Sequence, residues 1–434
     1  MARTTNGGGG IAPPEPDLTP AEMIRRAVAM RPELVRRQAE VEELRYYPED
    51  SHEAFDRAGF YRIYQPRRYG GYGFDVTTYV RLAIELARGC ANSAWCLLLA
   101  ANHALQIGSW WPESAQAEIF GDGAFRCASV AAPLSEPAVR RDDGWELNGK
   151  VSYCSGIPYS THYMGQALMG GPAADGPPPM LLFVVERSEW TMLDDWGDLL
   201  GLKGSGSHSI TFDRGHVPAH WALENTMMVD VDVSAGTPGY TLHGDPLYHG
   251  RALAPFTLSL GAILVGAAYG ALDDYQRLME ERTIPLPPFT MRRLDPDYQR
   301  HFGRAMAKLA TAEAALLSAA DQHMELCTRA AERGEPYGHG EDWFVACIGR
   351  EAMIQAWETM QSDIFRTAGS SASRSGERIE RVYRDMSMGN GHLNTMLRDL
   401  WFREIARWRL GLPKQAGNPR VEPLMRAAEQ ADRA

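Results

Sequence analysis

The sequence has no cysteine spacing that would indicate a metal site or a disulfide framework. Its six cysteines, at positions 90, 96, 127, 154, 327 and 347, include no Cys-x-x-Cys pair. Reduced thiols are typical of the cytoplasm, which is the compartment we expect. His208, His216 and His220 lie within thirteen residues, but spacings of eight and then four fit no common zinc pattern. We therefore expect no metal.

Positive charge is also scarce. The 44 Lys and Arg residues face 55 Asp and Glu residues, and the formal net charge is −11. A surface that binds nucleic acid concentrates Lys and Arg to displace counterions, so this balance disfavours nucleic acid and favours a small-molecule substrate. The first eighteen residues contain glycine and proline runs but no apolar core of a secretion signal. We expect a flexible leader there.

The sequence contains only one uncharged stretch long enough to be tested as a membrane-spanning helix. Residues Ala252 to Leu272 carry no charge, and Gly266 and Gly270 within them stand at Gly-x-x-x-Gly spacing. The same helical pattern continues into the charged run DDYQRLMEERT, and no second apolar span of similar length follows. This favours a buried helix of a bundle, and we expect no membrane partner.

What the sequence does contain is helical periodicity at both ends and strand patterns in the middle. Thr19-Pro20-Ala21-Glu22 is a capping box that predicts a helix to about Arg45. Alternating apolar runs separated by Gly, Pro and Asp turns predict an antiparallel meander. This order predicts an α+β fold with an N-terminal α domain, a central antiparallel β domain and a C-terminal four-helix bundle. We expect the boundaries to be leader 1–18, helical domain 19–121, β domain 122–236, bundle 237–412 and tail 413–434.

Four motifs resemble those of the acyl-CoA dehydrogenase superfamily and together extend from about residue 20 to 412. They are AGFYRIYQPRRYGGYG, DDGWELNGKVSYCSG, GLKGSGSHSITFDRGHVPAH and ERVYRDMSMGNGH. The resemblance implies an acyl-CoA dehydrogenase-like fold with a flavin between the β domain and the bundle.

The last motif departs from the commonest dehydrogenases at the residue that matters most. Their Arg-Asp pair is followed about eight residues later by a glutamate that removes the α proton of a thioester. Here Arg384-Asp385 is followed by Leu393 near that position, with His392 beside it. Neither Leu393 nor Asn394 can act as the carboxylate base of a desaturase.

A histidine at this place resembles instead the two-component flavin-dependent monooxygenases, namely oxygenase components like those that hydroxylate p-hydroxyphenylacetate or secosteroid phenols. The resemblance implies that reduced flavin, FMNH2 or FADH2, reacts with O2 to form a flavin hydroperoxide in a dry pocket, which then hydroxylates a small phenolic substrate. It also implies a separate NAD(P)H:flavin reductase and a homotetramer.

The resemblance assigns roles to single residues of this sequence. His392 and Ser155 are the predicted catalytic residues, since an imidazole can accept a phenol proton and a hydroxyl can bond the flavin or the substrate. The predicted substrate-binding residues are His103, Trp95 and Trp110. The predicted cofactor-binding residues are Ser129, Cys154, Ser155, Gly156, Ser205, Ser207 and Arg292, the last of which would meet the flavin phosphate across a subunit contact.

Three other functions stay open at this point. The same fold and hydroperoxide can oxygenate nitrogen or sulfur, for which His392 would matter less. An acyl-CoA dehydrogenase with a relocated base would need Glu377, Glu380 or Glu404 to reach the flavin. A bundle that stores flavin or only binds partners would keep the fold without the chemistry.

Overall fold

The structure, a computed structural model of the chain, describes residues 5–6, 10–121, 123, 125–170 and 179–412. The expected tail and residues 1–4 and 7–9 of the expected leader lie outside these ranges. The rest of the leader contacts the helical domain, since the Ile11 N–H donates to the Arg68 carbonyl at 2.9 Å and Leu18 is buried. Residues 11–18 are therefore attached to the domain that follows them.

The N-terminal helices begin at the predicted cap. The Glu22 N–H donates to the Thr19 hydroxyl at 3.2 Å, and Pro20 is the first helical residue. The single helix predicted to reach Arg45 is two helices in the structure, because the backbone leaves helical geometry at Arg37, where φ is −90° and ψ is 0°. The strand pair β1 (Thr5–Asn6) and β2 (Gly10–Ile11) is followed by α1 (Pro20–Arg36), α2 (Gln38–Leu44), α3 (Glu49–Arg57), α4 (Val76–Gly89), α5 (Ala91–Ala101), α6 (Ala104–Trp110) and α7 (Glu113–Ile119).

The central region forms two four-stranded sheets. Their strands are β3 (Cys127–Pro133), β4 (Val139–Arg141), β5 (Gly144–Val151), β6 (His162–Leu168), β7 (Met180–Glu186), β8 (Thr191–Met192), β9 (Ile210–Pro218) and β10 (Ala222–Glu224). The strand orders are β10-β7-β6-β3 and β4-β5-β9-β8. The predicted antiparallel meander is wrong in one respect, since β3 and β6 pair in parallel. The chain leaves the first sheet to build β4 and β5 in the second, and it then returns in the same direction.

The pairing of β5 with β9 sets the position of the loops beyond them. Val151 at the end of β5 faces Ile210 at the start of β9. The ladder continues past the strands, because the Cys154 N–H donates to the His208 carbonyl and the Gly156 N–H to the Gly206 carbonyl, both at 3.2 Å. The segments that follow β5 and precede β9 therefore run side by side.

Long helices return after the sheets. They are α8 (Pro238–His243), α9 (Leu253–Glu281), α10 (Pro296–Arg333), α11 (His339–Thr359), α12 (Arg366–Ala368), α13 (Arg378–Asn390), α14 (Leu393–Met396) and α15 (Arg398–Arg409), with a π-helical segment Met360–Phe365 before α12. The helical region after residue 376 is not continuous, since it is interrupted at Gly391 and His392 and again at Leu397. His392 consequently stands at a turn between two helices.

The uncharged helix α9 lies in the core. It is long and apolar enough to cross a membrane, but 89% of its most apolar window is buried within the protein. A methyl group added at Gly266 would lie 2.4 Å from the Ile84 carbonyl oxygen, and one added at Gly270 would lie 2.7 Å from the Arg88 carbonyl oxygen. The two glycines thus let α9 touch the backbone of α4, which agrees with a helix buried in a bundle.

Candidate active site

Three serine hydroxyls form a continuous chain where the two neighbouring loops meet. The Oγ atoms of Ser155 and Ser207 are 2.8 Å apart, and those of Ser207 and Ser205 are also 2.8 Å apart. All three side chains are buried. Three of the four predicted cofactor-binding serines, from two distant sequence motifs, are therefore brought into one hydrogen-bonded row.

Glycines allow these loops to press against helix α5. Gly156 has φ +83° and Gly206 has φ +59°, both in the left-handed region. A methyl group at Gly156 would lie 2.5 Å from the Cys96 carbonyl oxygen, and one at Gly206 would lie 2.8 Å from the Cys96 sulfur. The serine row consequently lies directly on α5.

Trp95 on α5 joins the serine row to the predicted catalytic histidine. Its indole N–H donates to the Ser155 hydroxyl at 3.0 Å. The centroid of its ring is 5.9 Å from that of His392, with the two planes at 66°. The three residues Trp95, Ser155 and His392, which the sequence predicted separately, form one cluster that we call the Trp95 cluster.

His392 is held as a neutral imidazole. It is half-buried, and its ring centroid lies 6.4 Å from that of Phe256 at the start of α9. Burial lowers the pKa of His392 to about 4, and the positive charge of Arg350 acts in the same direction. At neutral pH the ring is therefore unprotonated and can accept a hydrogen bond.

The glutamates that could replace a dehydrogenase base do not fit that role. Glu377 and Glu380 lie at the start of α13, about 18–22 Å from His392 along the helix axis at about 1.5 Å per residue. Glu380 is also paired with Arg384 at 2.5 Å, and Glu404 lies 4.0 Å from Arg407. Leu393, at the position expected for the base, is 48% exposed.

The predicted substrate-binding residues have different surroundings. His103 is buried, its Nδ1 lies 2.7 Å from the Cys127 carbonyl, and burial lowers its pKa to about 4. Because a carbonyl can only accept, the proton of His103 is on Nδ1. The accepting residue, Cys127, lies on β3 two residues before Ser129. Trp110 donates its indole N–H to the Gly250 carbonyl at 3.3 Å and lines a surface pocket beside α8.

The other predicted cofactor-binding residues make contacts within the protein. The Ser129 hydroxyl lies 3.8 Å from the Met228 sulfur, and the buried Cys154 thiol lies 3.8 Å from the Val151 carbonyl. Arg292 donates to the Ala368 carbonyl at 2.8 Å within its own chain. A contact of Arg292 with a flavin phosphate stays a prediction.

Sequence reasoning missed two neighbours of His392. Phe256 belongs to an apolar helix and gave no signal of its own. Arg350 is fully buried with its guanidinium 3.1 Å from the centroid of the Trp401 ring. The signal for Arg350 was a charge within the apolar run FVACIGREAMIQAW, where an unneeded charge would be costly.

Among the described residues, no group of three or more His, Cys, Asp or Glu side chains is arranged to hold a metal ion. His208, His216 and His220 each have different surroundings. His208 is buried against Tyr46, His216 is 45% exposed, and the His220 Nε2 lies 2.7 Å from Glu118.

Comparison with known proteins identifies the family. The family described as "Acyl-CoA dehydrogenase, N-terminal domain" matches residues 20–110, and "Acyl-CoA dehydrogenase, C-terminal domain" matches residues 258–396. The oxygenase subunit HsaA of a flavin-dependent monooxygenase from Rhodococcus jostii is 26% identical over 85% of this chain and 93% of its own length. The oxygenase component of p-hydroxyphenylacetate 3-hydroxylase from Acinetobacter baumannii is 21% identical over 88% of this chain and 87% of its own length.

A solved structure supports the same fold. XiaF from Streptomyces sp., determined in complex with FADH2 and glycerol, superposes with a TM-score of 0.81 at 22% identity, over 92% of this chain and 97% of that chain. The predicted α+β architecture and the predicted resemblance are both confirmed. The chain belongs to the acyl-CoA dehydrogenase superfamily, in its branch of flavin-dependent monooxygenase oxygenase components.

Proposed function

We propose that this chain uses reduced flavin from a separate reductase, together with O2, to hydroxylate a small phenolic substrate. The observation that carries the proposal is the Trp95 cluster. It presents a hydroxyl row and a neutral imidazole where a thioester desaturase would present a carboxylate. The relatives named above include one whose name states p-hydroxyphenylacetate as substrate.

The residues present suit a flavin ring. The serine row offers hydroxyls that both donate and accept, and the left-handed glycines 156 and 206 leave the backbone of both loops accessible without side chains. When bound, reduced flavin supplies the two electrons with which O2 transfers one oxygen atom to the substrate while the other leaves as water. The solved structure of XiaF contains FADH2, and FMN is an equal candidate for this chain.

The serine row also determines where a proton is available. Ser155 accepts from the Trp95 indole, which can only donate. If Ser205 donates to Ser207 and Ser207 donates to Ser155, the Ser155 proton is left to point at the flavin or the substrate. With these donor directions, Ser155 would present its O–H to the ligand while its oxygen accepts from Trp95 and Ser207.

His392 is suited to act as the base that removes the phenolic proton of the substrate. Attack on the ring carbon next to a phenolic hydroxyl is favoured when that hydroxyl is deprotonated. The low pKa of His392 keeps the imidazole neutral across the physiological range, so at the edge of Trp95 it can accept a hydrogen bond from the phenol and take the proton as the ring is oxygenated and the hydroxyl becomes more acidic. The apolar rings of Trp95 and Phe256 limit access of water to the same place.

We also propose a cytoplasmic homotetramer. The six buried cysteines are free thiols, which suits a reducing compartment. The connection between α9 and α10 exposes Leu286 by 70%, Phe289 by 58% and Leu294 by 59%. Apolar side chains exposed to this extent on neighbouring residues favour burial against another subunit.

The test supplies the purified chain with chemically reduced FMN or FAD and a panel of phenols under nitrogen, then admits ¹⁸O2. We expect one ¹⁸O atom in a phenol product, and NADH or NADPH alone should not support turnover. Release of hydrogen peroxide without an oxygenated product from any phenol, amine or thioether would refute the proposal.

The matched pair His392→Ala and His216→Ala tests the base. The first should lower phenol turnover by about 100-fold or more, as expected for loss of a general base, and the second, at an exposed position on β9, should leave it unchanged. Undiminished turnover of His392→Ala with an amine or thioether would instead support oxygenation at nitrogen or sulfur.

A further inference from the structure

A buried carboxylate and a buried amide hold the loop that carries two of the three serines. Asp385 on α13 is 2% exposed, and its Oδ1 accepts the Leu202 N–H at 2.7 Å. Its Oδ2 accepts the Asn92 side-chain N–H at 2.8 Å, and the Asn92 Oδ1 accepts the Gly204 N–H at 2.9 Å. We call these four groups the Asp385–Asn92 clamp.

The clamp fixes a turn that requires support. Leu202 has φ +53°, a conformation that is unfavourable for a leucine. A methyl group at Gly201 would lie 2.1 Å from the Arg384 carbonyl oxygen, and one at Gly204 would lie 2.4 Å from a Val41 side-chain carbon. The turn is therefore wedged between α2 and α13 while the clamp satisfies its backbone N–H groups.

The clamp connects the serine row with the helices that carry Trp95 and lead to His392. Ser205 follows the clamped turn directly and begins the serine row. Asn92 lies three residues before Trp95 on α5, so the two are separated by about one helical turn. Asp385 lies on α13, whose end places His392. One buried pair thus joins the loop, the helix of Trp95 and the helix that leads to His392.

We propose that Asp385 and Asn92 are positioning residues for the flavin-side serines, acting through the Leu202–Gly204 turn and not through contact with the substrate. This inference rests on the proposed function only for the identity of the ligand beside the serines. The family motif Arg384-Asp385 then has a defined task in this chain: Arg384 makes mostly buried ion pairs with Glu42 and Glu380, and Asp385 reaches the loop.

The arrangement permits a reciprocal exchange of the amide and the carboxylate. In the double variant N92D/D385N, the carboxylate now at position 92 would accept the Gly204 N–H and a side-chain N–H from position 385. The oxygen of the amide now at position 385 would accept the Leu202 N–H. All four groups keep their hydrogen bonds, and the pair still contains one carboxyl group and one amide. In either single variant two donors or two acceptors face each other, so each single variant loses bonds that the double variant restores.

The experiment measures binding of oxidised FMN and FAD by quenching of tryptophan fluorescence, together with the melting temperature of the ligand-free chain. Each single variant should weaken flavin binding by about tenfold or more, and the exchange should return it to within about threefold of wild type. D399N, an exposed Asp-to-Asn change on α15, serves as control and should bind as wild type does. An exchange variant that regains its melting temperature but binds no better than the weaker single variant would refute a positioning role.

A second measurement needs no variant. In the ligand-free wild-type chain, amide hydrogen exchange at Leu202 and Gly204 should be as slow as in the buried part of α5, and Lys203 between them should exchange faster. Rapid exchange at both clamped amides would overturn the inference. Neither measurement depends on hydroxylation, so failure of the clamp and failure of the proposed reaction can be told apart.

Discussion

Replacing Ser155 by alanine tests whether Trp95 depends on that hydroxyl. The Trp95 side chain is 4% exposed, and its indole N–H has the Ser155 oxygen as its acceptor at 3.0 Å. Removing the oxygen leaves a buried donor that water cannot easily reach, at a cost of about 1–3 kcal/mol. The melting temperature should decrease by roughly 2–6 °C, since about 1 kcal/mol corresponds to a few degrees in a large domain.

The control is Ser205→Ala, the same chemical change at the other end of the serine row. Ser207 would keep its bond to Ser155, and no buried donor of Trp95 would be affected. This variant should lower the melting temperature less than Ser155→Ala does.

The decisive comparison is a double-mutant cycle with Trp95→Phe, measured by differential scanning fluorimetry in one buffer. Trp95→Phe removes the indole donor, so the further change Ser155→Ala should cost less in that background, with a coupling of about 1–2 kcal/mol. If Ser155→Ala lowers the melting temperature equally with and without the indole, the reasoning about this hydrogen bond is wrong.

Three further predictions concern protons and backbone. Because burial lowers the pKa of His392 to about 4, the rate of phenol oxygenation should be independent of His392 ionisation between pH 6 and 8 and should fall only as the pH approaches 4; an acid limb near pH 6.5 that disappears in His392→Ala would contradict this. Gly156→Ala should lower both flavin affinity and melting temperature, since φ is +83° and the new methyl group would meet the Cys96 carbonyl at 2.5 Å; unchanged flavin titrations would count against the close contact with α5. Burial raises the pKa of Asp385 to about 7 while Glu42 also raises it and Arg384 and Arg381 oppose, so the folded state holds this proton more tightly than the unfolded chain does. The stabilisation from this group is complete below about pH 4 and is lost as the pH rises through 7, and D385N should flatten that part of a plot of melting temperature against pH.

The sequence predicted the order of helices and strands because that order depends on local periodicity. The cap at Thr19 and the burial of α9 followed from residue types and their spacing alone. The parallel pairing of β3 with β6 could not be predicted in this way, since it depends on β4 and β5 joining a different sheet. The break before His392 agrees with the residues Gly389-Asn390-Gly391, which are typical of helix ends.

The candidate site was predictable residue by residue but not as an arrangement. Family motifs pointed to Ser155, Ser207 and His392, yet nothing in the sequence indicated that Trp95 connects them. The Asp385–Asn92 contact joins residues 293 positions apart and has no local signal. Long-range hydrogen bonds of this kind are visible only once the helices have been packed.

The contact between α4 and α9 bears on how this protein can be redesigned. With Gly266 and Gly270 seated against the carbonyls of Ile84 and Arg88, the first helical region and the bundle share a surface too tight for one extra methyl group. Chimeras that take these two regions from different relatives would have to inherit α4 and α9 as a matched pair. The crossover points of such chimeras should therefore not separate α4 from α9.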